Sequence, residues 1–141
     1  MASIKPPAPR PCESCPYRRD VPSGVWAPEE YAKLLDYDKL TGEQPTQAFL
    51  CHQQNGRVCA GWLGCHLKAP RGRDLLSLRF LFRSSDDWLA MEEILDYKSP
   101  VPLFSSSREA AEHGLTEVDN PDYDAARIIN KIVSHRAQED A

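Results

Sequence analysis

Three cysteines and two histidines fall within the sixteen residues that run from Cys51-His52 through Cys59 to Cys65-His66, and the other two cysteines form Cys12-Glu-Ser-Cys15. Thiolates and imidazoles are the donors that soft and borderline metals prefer, and a CxxC knuckle joined to distant ligands is a common way to build a metal site. The expected ligands are Cys12, Cys15, Cys51 and Cys59. His52, Cys65 and His66 are candidates for extra ligands or for hydrogen bonds to a ligand thiolate. The expected ion is Zn2+, with a 4Fe-4S cluster as the alternative, since Cys-Pro, here Cys15-Pro16, is familiar at cluster ligands. Tyr17, Trp26 and Trp62 are either a shield for such a centre or ordinary core aromatics.

Other chemistry for the same residues is weaker. A redox dithiol at Cys12 and Cys15 would need a thioredoxin-like βαβ frame, which the chain lacks, and buried free cysteines often act as small hydrophobes. Adjacent Cys65 and His66 side chains diverge, so they make no nucleophile–base pair, and no Ser/His/Asp set or phosphate-cradling loop is present. A metallohydrolase needs a carboxylate base near its ion, yet residues 51–66 contain no Asp or Glu. His113 and His135 read as surface residues in helical polar settings.

The elements that must position these groups follow from turn chemistry and period. Asn55-Gly56 tolerates the positive φ angles of a tight β-turn, so Gln47–Cys51 and Arg57–Ala60 are expected to pair as a β-hairpin. In a regular two-residue hairpin Gln53 faces Val58 and His52 faces Cys59; one extra turn residue would instead bring Cys51 and Cys59 to one face. Ala60–Leu67 is expected to be a short turn or helix. A helix from 28 to 37 begins at Pro28 with Glu29 and Glu30 in its first turn, and carries Tyr31, Leu34 and Leu35 as its apolar stripe. Further helices are expected over 75–83, from Ser85 to Asp96 on a Trp88/Met91/Leu95 stripe, and from the capping box Ser106-x-x-Glu109 to Gly114. A last helix follows Asn120-Pro121 on Ile128, Ile129, Ile132 and Val133. The expected fold is α-rich (α+β): a small metal-stapled single domain with one β-hairpin and four to five helices.

The chain has 141 residues, is 41% hydrophobic and carries a net charge of −4. That suits one domain, expected over residues 12–136, with a proline-rich arm at 1–11 and a frayed tail at 137–141. Residues 1–83 carry 12 Lys/Arg against 8 Asp/Glu, whereas residues 84–141 carry 5 against 13. Lys68, Arg71 and Arg73 lie in the basic half, and either form a nucleic-acid face or pair with the acidic half. No apolar run is long enough to span a bilayer, so a cytoplasmic protein without a membrane partner is expected, acting as a binding or regulatory module on a protein or nucleic acid.

The elements Cys12-x-x-Cys15-Pro16-Tyr17-Arg18-x-Asp20, Cys51-His52, Cys59-Ala60-Gly61-Trp62 and Tyr97-x-x-Pro100-Val101-Pro102-Leu103-Phe104 together resemble a cysteine-rich domain of unknown function found in actinobacteria and their phages. The resemblance implies an intracellular metal-binding protein centred on Cys12, Cys15, Cys51 and Cys59, and it brings no activity with it. Cys12-x-x-Cys15-Pro16 also resembles the cluster-binding segment of WhiB-like regulators, whose two further cysteines stand at other spacings.

Overall fold

The computed structural model describes residues 5–50, 57–67 and 74–140, with side chains through residue 136. Six α-helices occur among them: α1 Pro28–Leu34, α2 Ala60–His66, α3 Leu76–Ser84, α4 Trp88–Leu95, α5 Ser107–Leu115 and α6 Tyr123–Asp140. Short 3-10 turns cover Leu35–Asp38 and Thr41–Glu43.

The shortest helices are the most constrained. The sequence of α2, Ala-Gly-Trp-Leu-Gly-Cys-His, has no charged residue on any face, as suits a helix enclosed on all sides. Ala60, Gly61, Trp62, Leu63, Cys65 and His66 are all buried. Side chains of the Trp62 and Leu63 type each contribute roughly 1.5–3 kcal/mol when removed from water. Tyr17, Leu34, Leu75, Leu78 and Ile94 belong to the same buried cluster, each at most 2% exposed. The segment from Tyr97 to Leu103 crosses the open side of Gly64, where a Cβ would meet the Leu103 side chain at 2.6 Å. Helix α1 closes on α5 in the same manner, since the Tyr31 ring occupies the space next to Gly114 that any larger residue would fill.

The α+β expectation is overturned. Among the described residues there is no strand, and the awaited hairpin is reduced to an isolated bridge between Leu50 and Val58. The bridge departs from the regular two-residue register, because Val58 faces Leu50 and not Gln53. Two causes are visible. Helix α2 begins immediately after Cys59, leaving no length for a second strand, and the Val58 N–H is donated to the Lys5 carbonyl at 3.4 Å instead of to a hairpin neighbour. The turn dipeptide Asn55-Gly56 itself lies outside the described residues. Six helices replace the expected four to five, and no group of three or more His, Cys, Asp or Glu side chains converges among the described residues, so the expected metal staple is not part of the architecture they define.

Two apolar stripes are rotated from those expected. In α4 the buried residues are Ala90, Met91 and Ile94, while Trp88 is 68% exposed. The cap is Asp87, whose carboxylate accepts from the Ala90 N–H, and not Ser85. In α6 Ala125, Ile128 and Ile132 are buried and Val133 is exposed. Helix α5 starts as its capping sequence requires, with Ser106 Oγ accepting from the Glu109 N–H at 3.1 Å. Asp38 adds to that cap from a distance of many residues, accepting from the N–H groups of Ser107 and Arg108 at 2.9 and 2.8 Å.

Candidate metal centre

The Cys12–Cys15 knuckle is a pair of consecutive turns. Cys15 N–H donates to the Cys12 carbonyl at 2.9 Å, and Arg18 N–H donates to the Cys15 carbonyl at 3.2 Å. Arg18 fixes it from outside by a two-pronged contact with Asp20, both bonds 2.7 Å, and by a bond to the Pro11 carbonyl. From inside, Trp26 Nε1 donates to the Ser14 carbonyl at 2.8 Å. The following residues, Tyr17 to Arg19, run antiparallel to Pro102–Phe104: Phe104 N–H donates to the Tyr17 carbonyl and Arg19 N–H to the Pro102 carbonyl. This contact explains why the Pro-Val-Pro-Leu-Phe run accompanies the knuckle in one chain.

Cys59 sits one residue before α2, its N–H donated to the Phe49 carbonyl at 2.8 Å. The Cys15 and Cys59 thiols meet, Sγ to Sγ, at 3.8 Å, and each residue is only 3% exposed. None of the four described cysteines, Cys12, Cys15, Cys59 and Cys65, is in a disulfide. The close approach needs Gly61. A Cβ there would collide with Cys15 Sγ and would stand 3.0 Å from Tyr17 Cβ.

Beside the thiols lies an aromatic layer that includes Tyr17, Tyr37, Phe49, Trp62 and His66, with rings meeting edge to face: Tyr37 and Trp62 at 5.4 Å, Tyr17 and Phe49 at 6.0 Å, Tyr17 and His66 at 5.8 Å. A polar chain is buried within it. Tyr17 OH and His66 Nε2 each lie 2.8 Å from Ser107 Oγ. The single hydroxyl proton of Ser107 serves one neighbour and its lone pairs serve the other. Burial is the main reason that the Tyr17 phenol is held well above its ordinary pKa; the Ser107 bond opposes this, and the charges of Cys59, Cys65 and Cys15 add to it. Tyr37 is pushed up to about 12, first by burial and then by Asp36 and Cys59.

Of the ligands expected from the sequence, Cys15 and Cys59 are thus brought into contact, and Cys12 shares the Cys15 turn. Cys51 and His52 lie outside the described residues, as do Lys68, Arg71 and Arg73. Cys65 is buried on α2, and His66 is occupied by Ser107 within the aromatic layer. His113, read as a surface residue, is half-buried and hydrogen-bonded to the Val21 carbonyl against the Phe104 ring. Ser107 and Asp38 were not singled out by the sequence. The capping box marks Ser106, and nothing local distinguishes the serine after it.

The donor set suits a soft or borderline ion, and the empty side of Gly61 is space kept for sulfur. A family model, described as "Family of unknown function (DUF6283)", matches residues 7–136. The chain belongs to that family. The matched span takes in the knuckle, the Cys59–Trp62 turn into α2 and the Tyr97–Phe104 segment. No curated protein and no solved structure matches the chain. No described helix is long and apolar enough to cross a membrane.

Proposed function

We propose that this family member is a small metal-binding protein in which Cys15 and Cys59, joined by Cys12 and Cys51, hold a structural Zn2+ and so present a binding or regulatory surface. The observation that carries the reading is the 3.8 Å separation of the Cys15 and Cys59 sulfurs. Four thiolates placed about 2.3 Å from a tetrahedral Zn2+ stand about 3.8 Å from one another, so the separation of this pair equals one edge of such a tetrahedron. In a 4Fe-4S cluster each thiolate binds a different iron and projects outward from its own corner, which spreads the sulfurs well beyond this contact. The surroundings agree with a structural role: both sulfurs are enclosed, and the neighbouring Ser107–His66 pair is used up in packing.

Bound Zn2+ would supply charge and cross-linking to the thiolates. The protein supplies the rigid turn, the Gly61 recess and the aromatic cover. The test is metal analysis with a visible spectrum, on protein purified without oxygen. Colourless protein with one equivalent of zinc, lost in Cys15→Ser and in Cys59→Ser, is the expected result. Cys51→Ala should also lose zinc, while His52→Ala should keep it. Brown protein would replace zinc by a 4Fe-4S cluster, and wild-type protein free of both would end the reading.

A further inference from the structure

Two sulfurs in contact can share a metal ion, and they can also share an electron pair. The Cys15 and Cys59 thiols stand 3.8 Å apart across 44 residues of chain, and side-chain rotation alone would have to bring them to the roughly 2.05 Å of a disulfide bond. The Cys15 sulfur lies against the first turn of α2, in the recess left by the missing side chain of Gly61, and there it faces Cys59. Both residues are 3% exposed, whereas Cys12 in the same turn is partly exposed. An oxidant as small as hydrogen peroxide, scarcely larger than water, therefore needs to travel only from the Cys12 side of the knuckle to its inner side.

We propose that Cys15 and Cys59 are a peroxide-responsive pair, whose oxidation ties the knuckle to α2 by a disulfide and takes both sulfurs away from zinc. The release of zinc rests on the metal reading above; closure of the disulfide does not.

The chemistry balances in two steps. One sulfur attacks hydrogen peroxide, the O–O bond breaks, and the sulfur becomes a sulfenic acid as one water leaves. The second sulfur then attacks the first, the S–S bond forms, the S–O bond breaks, and a second water leaves. Two thiols and one peroxide thus give one disulfide and two waters; where the sulfurs start as zinc-bound thiolates, two protons come from solvent and Zn2+ departs. Contact between the sulfurs favours the second step over further oxidation of the sulfenic acid, since the resolving thiol is already beside it. A disulfide sulfur has no thiolate charge to give to a metal, so two of the four ligands are lost together.

The experiment adds one equivalent of hydrogen peroxide to the full chain, purified without oxygen, in the presence of a zinc-sensitive dye. Remaining thiols are then alkylated, and the linked cysteines are mapped by mass spectrometry of the unreduced digest. The expected result is a chain lighter by two hydrogens, a Cys15–Cys59 link as the main product, and transfer of the bound zinc to the dye. Dithiothreitol should restore both thiols and zinc binding. The same treatment in urea should lose the preference for Cys15–Cys59, because there only distance along the chain selects a partner. The proposal is overturned if the native protein forms no disulfide, if it joins Cys15 to Cys12 instead, if the unfolded chain shows the same preference, or if zinc stays bound to the linked protein. Protein that carries no zinc before peroxide is added would end the metal reading alone, and the mapped link would then decide the redox pair by itself.

Discussion

The Cys15 thiol occupies the volume that a side chain on Gly61 would need, so the knuckle and the first turn of α2 are fitted to each other as backbone against sulfur. Gly61→Ala tests that fit. The added methyl must displace a sulfur held by two turns and a tyrosine stem, and overpacking of this kind costs about 1–3 kcal/mol. The expected outcome is a lower urea midpoint with an unchanged slope. An alanine variant as stable as wild type would mean that α2 slides without resistance.

Ser107 is fully buried and satisfies two other buried groups at once. Ser107→Ala leaves Tyr17 OH and His66 Nε2 without that partner, a loss on the order of 2–3 kcal/mol, because desolvated donors and acceptors are costly when unpaired. Chemical denaturation measures it. Tyr17→Phe should cost less, since it removes the partner along with the bond.

Asp38 reaches α5 across 69 residues of sequence. Asp38→Ala removes two charge-assisted acceptors from the first turn of that helix and should destabilise by about 1–2 kcal/mol. Asp38→Asn keeps one acceptor and should lose about half as much. Hydrogen exchange at the N–H groups of Ser107 and Arg108 reports the change locally.

Glu13 holds the knuckle to α6 through Arg127 at 2.9 Å and Lys131 at 3.2 Å. Hydrogen bonds from Arg127, then from Lys131, keep its carboxyl below the ordinary value of 4.5. A carboxyl depressed by folding stabilises the protein above its unfolded pKa, and that contribution is lost as pH falls through the folded value. Glu13→Gln should therefore flatten the acid side of the stability–pH curve below pH 4.5 and leave its alkaline side unchanged. The pair is solvent-exposed, so the effect should stay within about 0–1 kcal/mol.

What the sequence disclosed was what local chemistry decides. Pro28 with its two glutamates, and Ser106 with Glu109, favour helix starts through contacts within one turn, and both helices are present. The sequence grouped Cys15 and Cys59 among four expected ligands without setting either against the other, and their 3.8 Å contact is fixed by the packing of the knuckle on Gly61. The hairpin was misread because Asn55-Gly56 is a signal about one turn only, while the fate of Val58 was settled by Lys5, more than fifty residues earlier. Trp88 was misassigned because residues 88, 91 and 95 and residues 90, 91 and 94 are both acceptable helical stripes, and only the position of the remaining helices selects the second. Ser107 was invisible for the same reason, since its partners are 41 and 90 residues away.

Beyond its local turns, the knuckle is tied down by residues made long after it. Arg19 binds the Leu103 carbonyl 84 residues on, Tyr17 binds Ser107 at 90, and Glu13 meets Lys131 at 118. During synthesis Cys12 and Cys15 thus emerge first and stay uncovered until α5 and α6 have followed, and closing such distant contacts is slow. The two thiols of the knuckle wait, for most of the time that a ribosome takes to finish the chain, for the residues that will enclose them.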